Sequence, residues 1–247
     1  DPNGVDDATI SFAVSDSTYT INDSELNFSS DTLTFTPSSN FTEGVVGFSL
    51  ISAADLFGDP LQTVISDSFT VDLSAPYISG PQPAVGSFVS NLQPDISIMI
   101  IDSSSYIEPD SINLIVQDIS YSISDDALTW NTADSTLTFS PTAAGFNFDD
   151  GVSINVSLTA YDHIDYSAPH PLEYEWSFYI NLGGPTAQLV SPTTQTFSSD
   201  SLQVITLHIT DPNGVDTNSI SFAVSDSTYT INDSELIFIS DTLTFTP

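Results

Sequence analysis

The chain is 247 residues long and carries 33 acidic side chains, three histidines and no lysine, arginine or cysteine, for a formal charge of −33 at neutral pH. A chain of this length would ordinarily hold roughly 25 basic residues; without them nucleic acid and anionic membrane surfaces are excluded as partners, because both need Lys or Arg to neutralise phosphate. The carboxylates must instead be balanced by solvent cations, bound metal or backbone N–H groups, and the lack of cysteine removes disulfide staples, thiolate nucleophiles and zinc–thiolate sites.

Hydrophobic residues still make up 40% of the chain and aromatic residues 11%, and they alternate, which is the mark of half-buried β-strands. In chain order, Ile10, Phe12 and Val14 predict one strand and Leu33 with Phe35 another; Ile112, Leu114 and Val116, then Leu137 and Phe139, repeat the pattern. Clusters of Asp, Asn, Ser, Gly and Pro separate these segments as turns. The run "IMII" at 98–101 is far too short to cross a bilayer, so direct membrane insertion is not expected. Near the end, "VITLHIT" places His208 within an alternating strand. No stretch of ten residues has helical spacing, so the expected class is all-β.

Self-similarity organises the chain. Residues 1–37 return as 211–247 with five changes: Asp7 to Thr217, Ala8 to Asn218, Thr9 to Ser219, Asn27 to Ile237 and Ser29 to Ile239. A copy this fresh implies tandem duplication with a period of 211 − 1 = 210 residues. A weaker repeat lies inside the period, where Ile10–Phe28 aligns with Ile112–Trp130, "LTFTP" ending at Pro37 with "LTFSP" ending at Pro141, and "SFTVD" ending at Asp72 with "SFYIN" ending at Asn181. Each period therefore reads as two diverged domains of about 100 residues and seven short strands, which suggests immunoglobulin-like sandwiches. The expected division is residues 1–75, a type A domain lacking its first strands; 76–184, a complete type B domain; and 185–247, the next type A domain lacking its last strands. On this reading the sequence is one period plus an overlap cut from a longer chain. The prolines of "DLSAP" (72–76) and "NLGGP" (181–185), which cannot continue a ladder, mark the linkers. The expected fold is all-β, with tandem immunoglobulin-like β-sandwich domains in a linear array.

One further pattern carries a resemblance: an Asp-rich turn before "SI" and an alternating strand, then "LTxxP", a strand ending "AxD", and an acidic linker with proline. Type B supplies "DSINLIV", "LTFSP", "DDGVSINVSLTAYD" and "EYEWSFYIN"; type A supplies "DPNGVDTNSISFAV", "LTFTP", "EGVVGFSLISAAD" and "DSFTVDLSAP". Across the whole chain this resembles the bacterial Ig-like and cadherin-like tandem repeats of large surface proteins. The resemblance implies adhesin stalks or surface fibres, outside the cell, sometimes with calcium at domain junctions.

The leading metal candidate is "DPNGVD", where Asp211, Asn213 and Asp216, and Asp1, Asn3 and Asp6 in the first copy, offer oxygen ligands on one short loop. Calcium wants six to eight such oxygens, so other loops must converge. Asp55, Asp59 and Asp72 are the expected contributors, and Asp102, Glu108, Asp110 and Asp162 are their type B equivalents. The alternative is ordinary turn chemistry, in which Asn and Gly tolerate positive φ and Asp closes Asx-turns. "DHIDYSAPH" holds His163, Asp165 and His170 with Glu173 and Glu175 following; this could make a transition-metal site, although two unrelated loop histidines is the simpler reading. An enzyme is not expected, because no Arg or Lys can clamp an anionic substrate or oxyanion and no "GxSxG" occurs.

The expected function is mechanical: a structural repeat segment of an extracellular or cell-surface fibre, partnered by neighbouring repeats of the same chain and by copies of itself. The alternative is ligand-binding or calcium-dependent adhesin repeats that recognise carbohydrate or a surface receptor. An exposed groove of Trp and Tyr would favour the latter, but Trp130 and Trp176 both read as core.

Overall fold

A computed structural model describes residues 3–194 and 196–247. The first stretch holds β1 (Val5–Val14), β2 (Ser17–Thr20), β3 (Leu26–Ser29), β4 (Thr32–Phe35), β5 (Gly44–Asp55) and β6 (Ile65–Val71). Then come β7 (Tyr77–Gln82), β8 (Phe88–Val89), β9 (Ile96–Ile101), β10 (Asn113–Val116), β11 (Ile119–Ser122), β12 (Leu128–Asn131), β13 (Thr136–Phe139), β14 (Ser153–Tyr161) and β15 (Pro171–Ile180). Last are β16 (Thr186–Ser191), β17 (Ile205–Thr210), β18 (Ser221–Val224), β19 (Ser227–Thr230), β20 (Leu236–Ile239) and β21 (Thr242–Phe245). The protein is all-β, and the one α-helix among the described residues is a single turn at Pro141–Ala144. Among the described residues no helix is long and apolar enough to cross a membrane.

The middle stretch is a complete immunoglobulin-like sandwich. One sheet runs β11-β10-β14-β15-β8 and the other β12-β13-β9-β7. Alternation decides which side chains meet between them: Ile96, Ile98 and Ile100 of β9, Leu137 and Phe139 of β13, and Ile154, Val156 and Leu158 of β14 are all buried. β8 joins β15 in parallel, with Tyr179 opposite Phe88 and Ile180 opposite Val89. The rings of Phe88 and Tyr179 stack there at 5.2 Å.

The stretches on either side reuse parts of this plan. The first has the sheet β2-β1-β5-β6 and a separate hairpin β3-β4; the last has the sheet β16-β17-β21-β20 and a separate hairpin β18-β19. In all three stretches one tyrosine joins the two layers, with Tyr19–Phe35, Tyr121–Phe139 and Tyr229–Phe245 at centroid distances of 4.8, 4.6 and 4.7 Å. The same aspartate closes the same turn each time: Asp23, Asp125 and Asp233 accept, at 2.7 Å, the N–H of Thr20, Ser122 and Thr230. The tight β3–β4 turn places Ser30 and Asp31 at φ 50° and 59°, and Ser240 and Asp241 repeat it at 48° and 62°. Two consecutive positive φ values give the turn that matches strand twist in a two-residue hairpin, and Asp is among the residues that tolerate it.

The chain gathers into two compact units, one of residues 1–77, 100–111 and 160–172 and the other of residues 78–99, 112–159 and 173–247.

Candidate metal centre

Within the first unit, three aspartates at strand ends face one histidine. Asp72 follows β6, and its Oδ1 accepts the Ser74 N–H at 3.0 Å. Asp102 follows β9, and its Oδ1 accepts the N–H groups of Ser104 and Ser105 at 2.9 and 2.8 Å. These are Asx-turns, in which a short carboxylate replaces a backbone carbonyl in stopping the strand. In both residues the other oxygen, Oδ2, is buried with no hydrogen-bond partner among the described residues. Asp162 follows β14 and is 1% exposed; its two oxygens accept the N–H and the ring Nδ1–H of His170, each at 2.6 Å. The ligand atoms of Asp72, Asp162 and His170 lie within 4.8 Å of one another.

Glu43, just before β5, holds this arrangement from the side. Its Oε2 accepts from the Ser74 hydroxyl and its Oε1 from the Ser104 hydroxyl, so it ties together the turns that carry Asp72 and Asp102. Those two bonds, Ser104 first, hold the Glu43 carboxyl below the usual carboxylate range. His170 moves the other way: the bond to Asp162 is the main cause of its raised pKa, burial opposes it, and the charges of Asp162, Asp72 and Asp102 add to the rise. An ionised carboxylate only accepts, so Nδ1 carries the proton and Nε2 is left for a second proton or a ligand. Three carboxyl groups meet one imidazole in this corner, and two of their oxygens, Asp72 Oδ2 and Asp102 Oδ2, are buried without a donor among the described residues. Burying charge without compensation is costly, and a buried carboxylate oxygen that lacks a donor is where a cation would sit. Two carboxylates and one imidazole, those of Asp72, Asp162 and His170, therefore fit a divalent ion whose remaining positions are filled by carbonyl oxygen or water, with the charge of Asp102 nearby.

The other expected ligands are dispersed. Asp1 lies outside the described residues. Asn3 donates through Nδ2 to Asp55 Oδ2 at 3.0 Å. Asp55, 6% exposed, accepts the N–H groups of Phe57 and Asp59 at 2.9 Å. The Asp59 bond is the largest cause of its lowered pKa, so Asp55 is consumed by its own turn, and Asp59 contributes backbone there. Asp6 accepts the Ala8 N–H at 3.2 Å. Asp211 and Asp216 accept the N–H groups of Asn213 and Asn218 at 2.8 and 3.0 Å, and Asn213 Nδ2 reaches toward the Ile180 carbonyl at 3.5 Å. Asp110 is exposed in a short 3-10 turn. Glu108 meets His163 Nδ1 at 2.7 Å, Asp165 meets Nε2 at 3.1 Å, and the ring stacks on Tyr106 at 4.6 Å. Chiefly through Glu108, the His163 pKa is raised.

The structure thus joins Asp72 to Asp162, which the sequence reading assigned to separate groups, and adds His170 and Glu43. The only sequence signal for His170 was that "DHIDYSAPH" begins with Asp162–His163 and ends with a second histidine; nothing local marks Glu43. Both histidines, read as unrelated loop residues, are bonded to carboxylates.

No known protein family matches the chain, and no curated protein matches it. Among solved structures, the N-terminal Ig1-2 module of the Drosophila receptor protein tyrosine phosphatase DLAR is similar at 12% identity and a TM-score of 0.25, over 70% of this chain and 84% of that one. SGBP-B of the Bacteroides ovatus mixed-linkage glucan utilization locus, determined with a mixed-linkage heptasaccharide, is similar at 12% identity and a TM-score of 0.19, over 78% of this chain and 44% of that one. At such scores nothing that these two proteins bind transfers to this chain, and the fold stands on the strand pairing described above.

Proposed function

We propose that the chain is a structural repeat segment of a long extracellular or cell-surface fibre, built of immunoglobulin-like sandwiches with a 210-residue period, of the kind found in bacterial surface proteins. The observation that supports this most is the threefold recurrence of one motif, with its bridging tyrosine and turn aspartate, in a chain whose composition removes nucleic-acid and membrane partners. Its partners are the neighbouring repeats of the same chain and other copies of itself. Divalent cations, calcium foremost, bind at Asp72, Asp102 and Asp162 beside His170 and stiffen the segment that follows β6 against the loops after β9 and β14. The adhesin reading is less well supported: Trp176 is buried and Trp130 half-buried, so neither ring stands free to stack on a sugar.

Electron microscopy of the native material with and without a chelator tests this reading. Strands of eight to ten residues plus a linker make each sandwich roughly 40 Å long, so one period should advance about 80 Å. Filaments with that axial repeat, softened or collapsed by chelation, are expected. Compact particles without an axial repeat would overturn the fibre, and indifference to chelator would overturn the cations.

A further inference from the structure

The Asp-Pro-Asn-Gly turn at residues 211–214 follows β17 and spends its own polar groups internally. The Asp211 carboxylate accepts the Asn213 N–H, and the Gly214 N–H closes the turn on the Asp211 carbonyl at 3.0 Å. Pro212 is the residue that reaches across, to Gly151 in the loop before β14. A Cβ on Gly151 would come within 2.5 Å of the Pro212 Cβ and 2.9 Å of its carbonyl carbon and oxygen. Only glycine can sit so close, and two of the three opposing atoms are backbone, which cannot swing aside. Gly151 also has a φ of 80°, a region that glycine enters freely. Proline suits the other side of the contact, because its ring is rigid and it has no N–H to leave without a partner. Both residues belong to the second compact unit.

The linker "NLGGP" (181–185) runs between them. A Cβ on Gly183 or Gly184 would meet nothing within 4 Å, and two adjacent open glycines make a flexible tether. Its start is gripped by the same loop: Asp150 Oδ1 accepts the Leu182 N–H at 3.0 Å, and the Gly151 N–H donates to the Ile180 carbonyl at 3.1 Å. One short loop therefore holds both the beginning of the linker and the turn beyond it. Gly44, in the matching "EGV" at the start of β5, has no such neighbour, since a Cβ there would touch nothing within 4 Å. Ile96 and Ile205 stand opposite Phe139 and Phe245, so Asp102 corresponds to Asp211 and Ser103 stands in the place of Pro212. Beside Gly44 it is Glu43 that reaches out, to the hydroxyls of Ser74 and Ser104.

We infer that the Asp-Pro-Asn-Gly turn is a seating surface between neighbouring domains of one chain. Pro212 docks on the bare backbone of Gly151, Asp150 holds the linker, and together they make the passage from the sandwich of residues 77–180 to the strands after it a rigid joint that needs no ion. The glycines let the linker turn, and the seat decides where it stops. The two passages in a period are then locked by different chemistry, this one by steric fit and the one around Glu43 by carboxylates that a cation would reinforce. Such a joint gives residues to the contact between neighbouring repeats proposed above. It is a property of the single chain, so its failure would leave the fibre and the cations untouched.

The chain has no cysteine, so Ala143→Cys with Asp226→Cys, both at exposed positions, places one spin label on either side of the joint for double electron–electron resonance. One narrow distance distribution is expected, the same in chelator and in ~10 mM calcium. Gly151→Val pushes the turn off its seat and Pro212→Gly removes the ring. Both should widen the distribution toward the roughly 12 Å that five flexible residues span, while unlabelled Pro212→Gly keeps the parent's tryptophan-fluorescence midpoint in urea. Pro212→Gly alone decides the matter if Gly151→Val, made at a positive φ, unfolds the sandwich. A broad distribution in the parent, one that narrows only with calcium, or one left unchanged by Pro212→Gly would overturn the inference.

Discussion

Replacing Phe178 by Ala, and separately Phe69 by Ala, measures the difference between a closed and an open layer at equivalent positions. Phe178 is fully buried and meets Phe148 edge to face at 6.2 Å, a setting in which Phe→Ala costs about 4 kcal/mol. Phe69 touches Phe41 and Phe48 at 5.6 and 6.5 Å but is nearly half exposed, so its truncation should cost about half as much or less. Both tryptophans lie between β12 and β15, Trp130 on the former and Trp176 on the latter, so intrinsic fluorescence in urea reports on that sandwich alone. With a urea slope of about 1.3 kcal/mol per molar for a domain near a hundred residues, Phe178→Ala should lower the fluorescence midpoint by about 3 M. Phe69→Ala should leave that midpoint within about 0.3 M of the parent and show its smaller loss only in circular dichroism. A fluorescence shift for Phe69→Ala as large as for Phe178→Ala would refute the reasoning, because the open stretch and the closed sandwich would then unfold as one.

Three further outcomes are expected. His170 has a raised pKa in the folded state, so its stabilisation is complete below about 6.5 and lost as pH rises through the folded value; Asp55 and Glu43 are lowered, so theirs is complete above about 4.3 and lost as pH falls. Thermal melts in chelator should therefore decline on both sides of a mildly acidic plateau, and His170→Gln should shrink the alkaline decline to the part that His163, also raised, contributes, while leaving the acid limb. At ~10 mM, calcium should add roughly 1.4 to 2.7 kcal/mol if it binds at 10⁻⁴ to 10⁻³ M, as extracellular modules do. Asp102→Asn keeps the turn acceptor and loses the charge, so calcium titration followed by calorimetric melting should show no gain in that variant, and an undiminished gain would place the ion elsewhere. Finally, restoring the first-copy residues with Ile237→Asn and Ile239→Ser should change stability by no more than about 0.5 kcal/mol, since these side chains are 51% and 67% exposed; a larger loss in urea titration would mean they are covered.

The fold was legible where one period governs. Ile10 and Val14, Leu114 and Val116, Leu137 and Phe139 all sit in strands, and alternation alone found them. β8 was not legible, because two residues cannot show a period, and neither was the choice of Ser-Asp over Asn-Gly for the tight β3–β4 turn. The candidate site was legible in its ingredients and not in its grouping. Asp72, Asp102 and Asp162 each stand at a strand end, where an acidic turn residue is expected, but their meeting depends on pairings between strands tens of residues apart. Asp55 shows the converse: its sequence setting, "AAD" against "AYD" for Asp162, is nearly the same, yet Asn3 and its own turn use up the oxygens that Asp162 gives to His170.

If sandwiches of this kind are strung end to end, as proposed above, the parallel seam between β8 and β15 decides how each one would carry load. Gly86 donates to Ser177, Tyr179 to Ser87 and Asn181 to Val89, at 2.7, 2.8 and 2.9 Å, so the seam joins backbone near the sandwich's entry to backbone near its exit. Pulling on the two ends draws these parallel strands past each other lengthwise, and the three bonds, lying across the pull, are strained together rather than opened in turn. The expected single-molecule trace is an abrupt high-force rupture for this sandwich, and a gradual low-force peel would show that the seam bears no tension. The segment would then act as a fuse with a sharp threshold, holding its length under ordinary strain and lengthening only by yielding one whole sandwich.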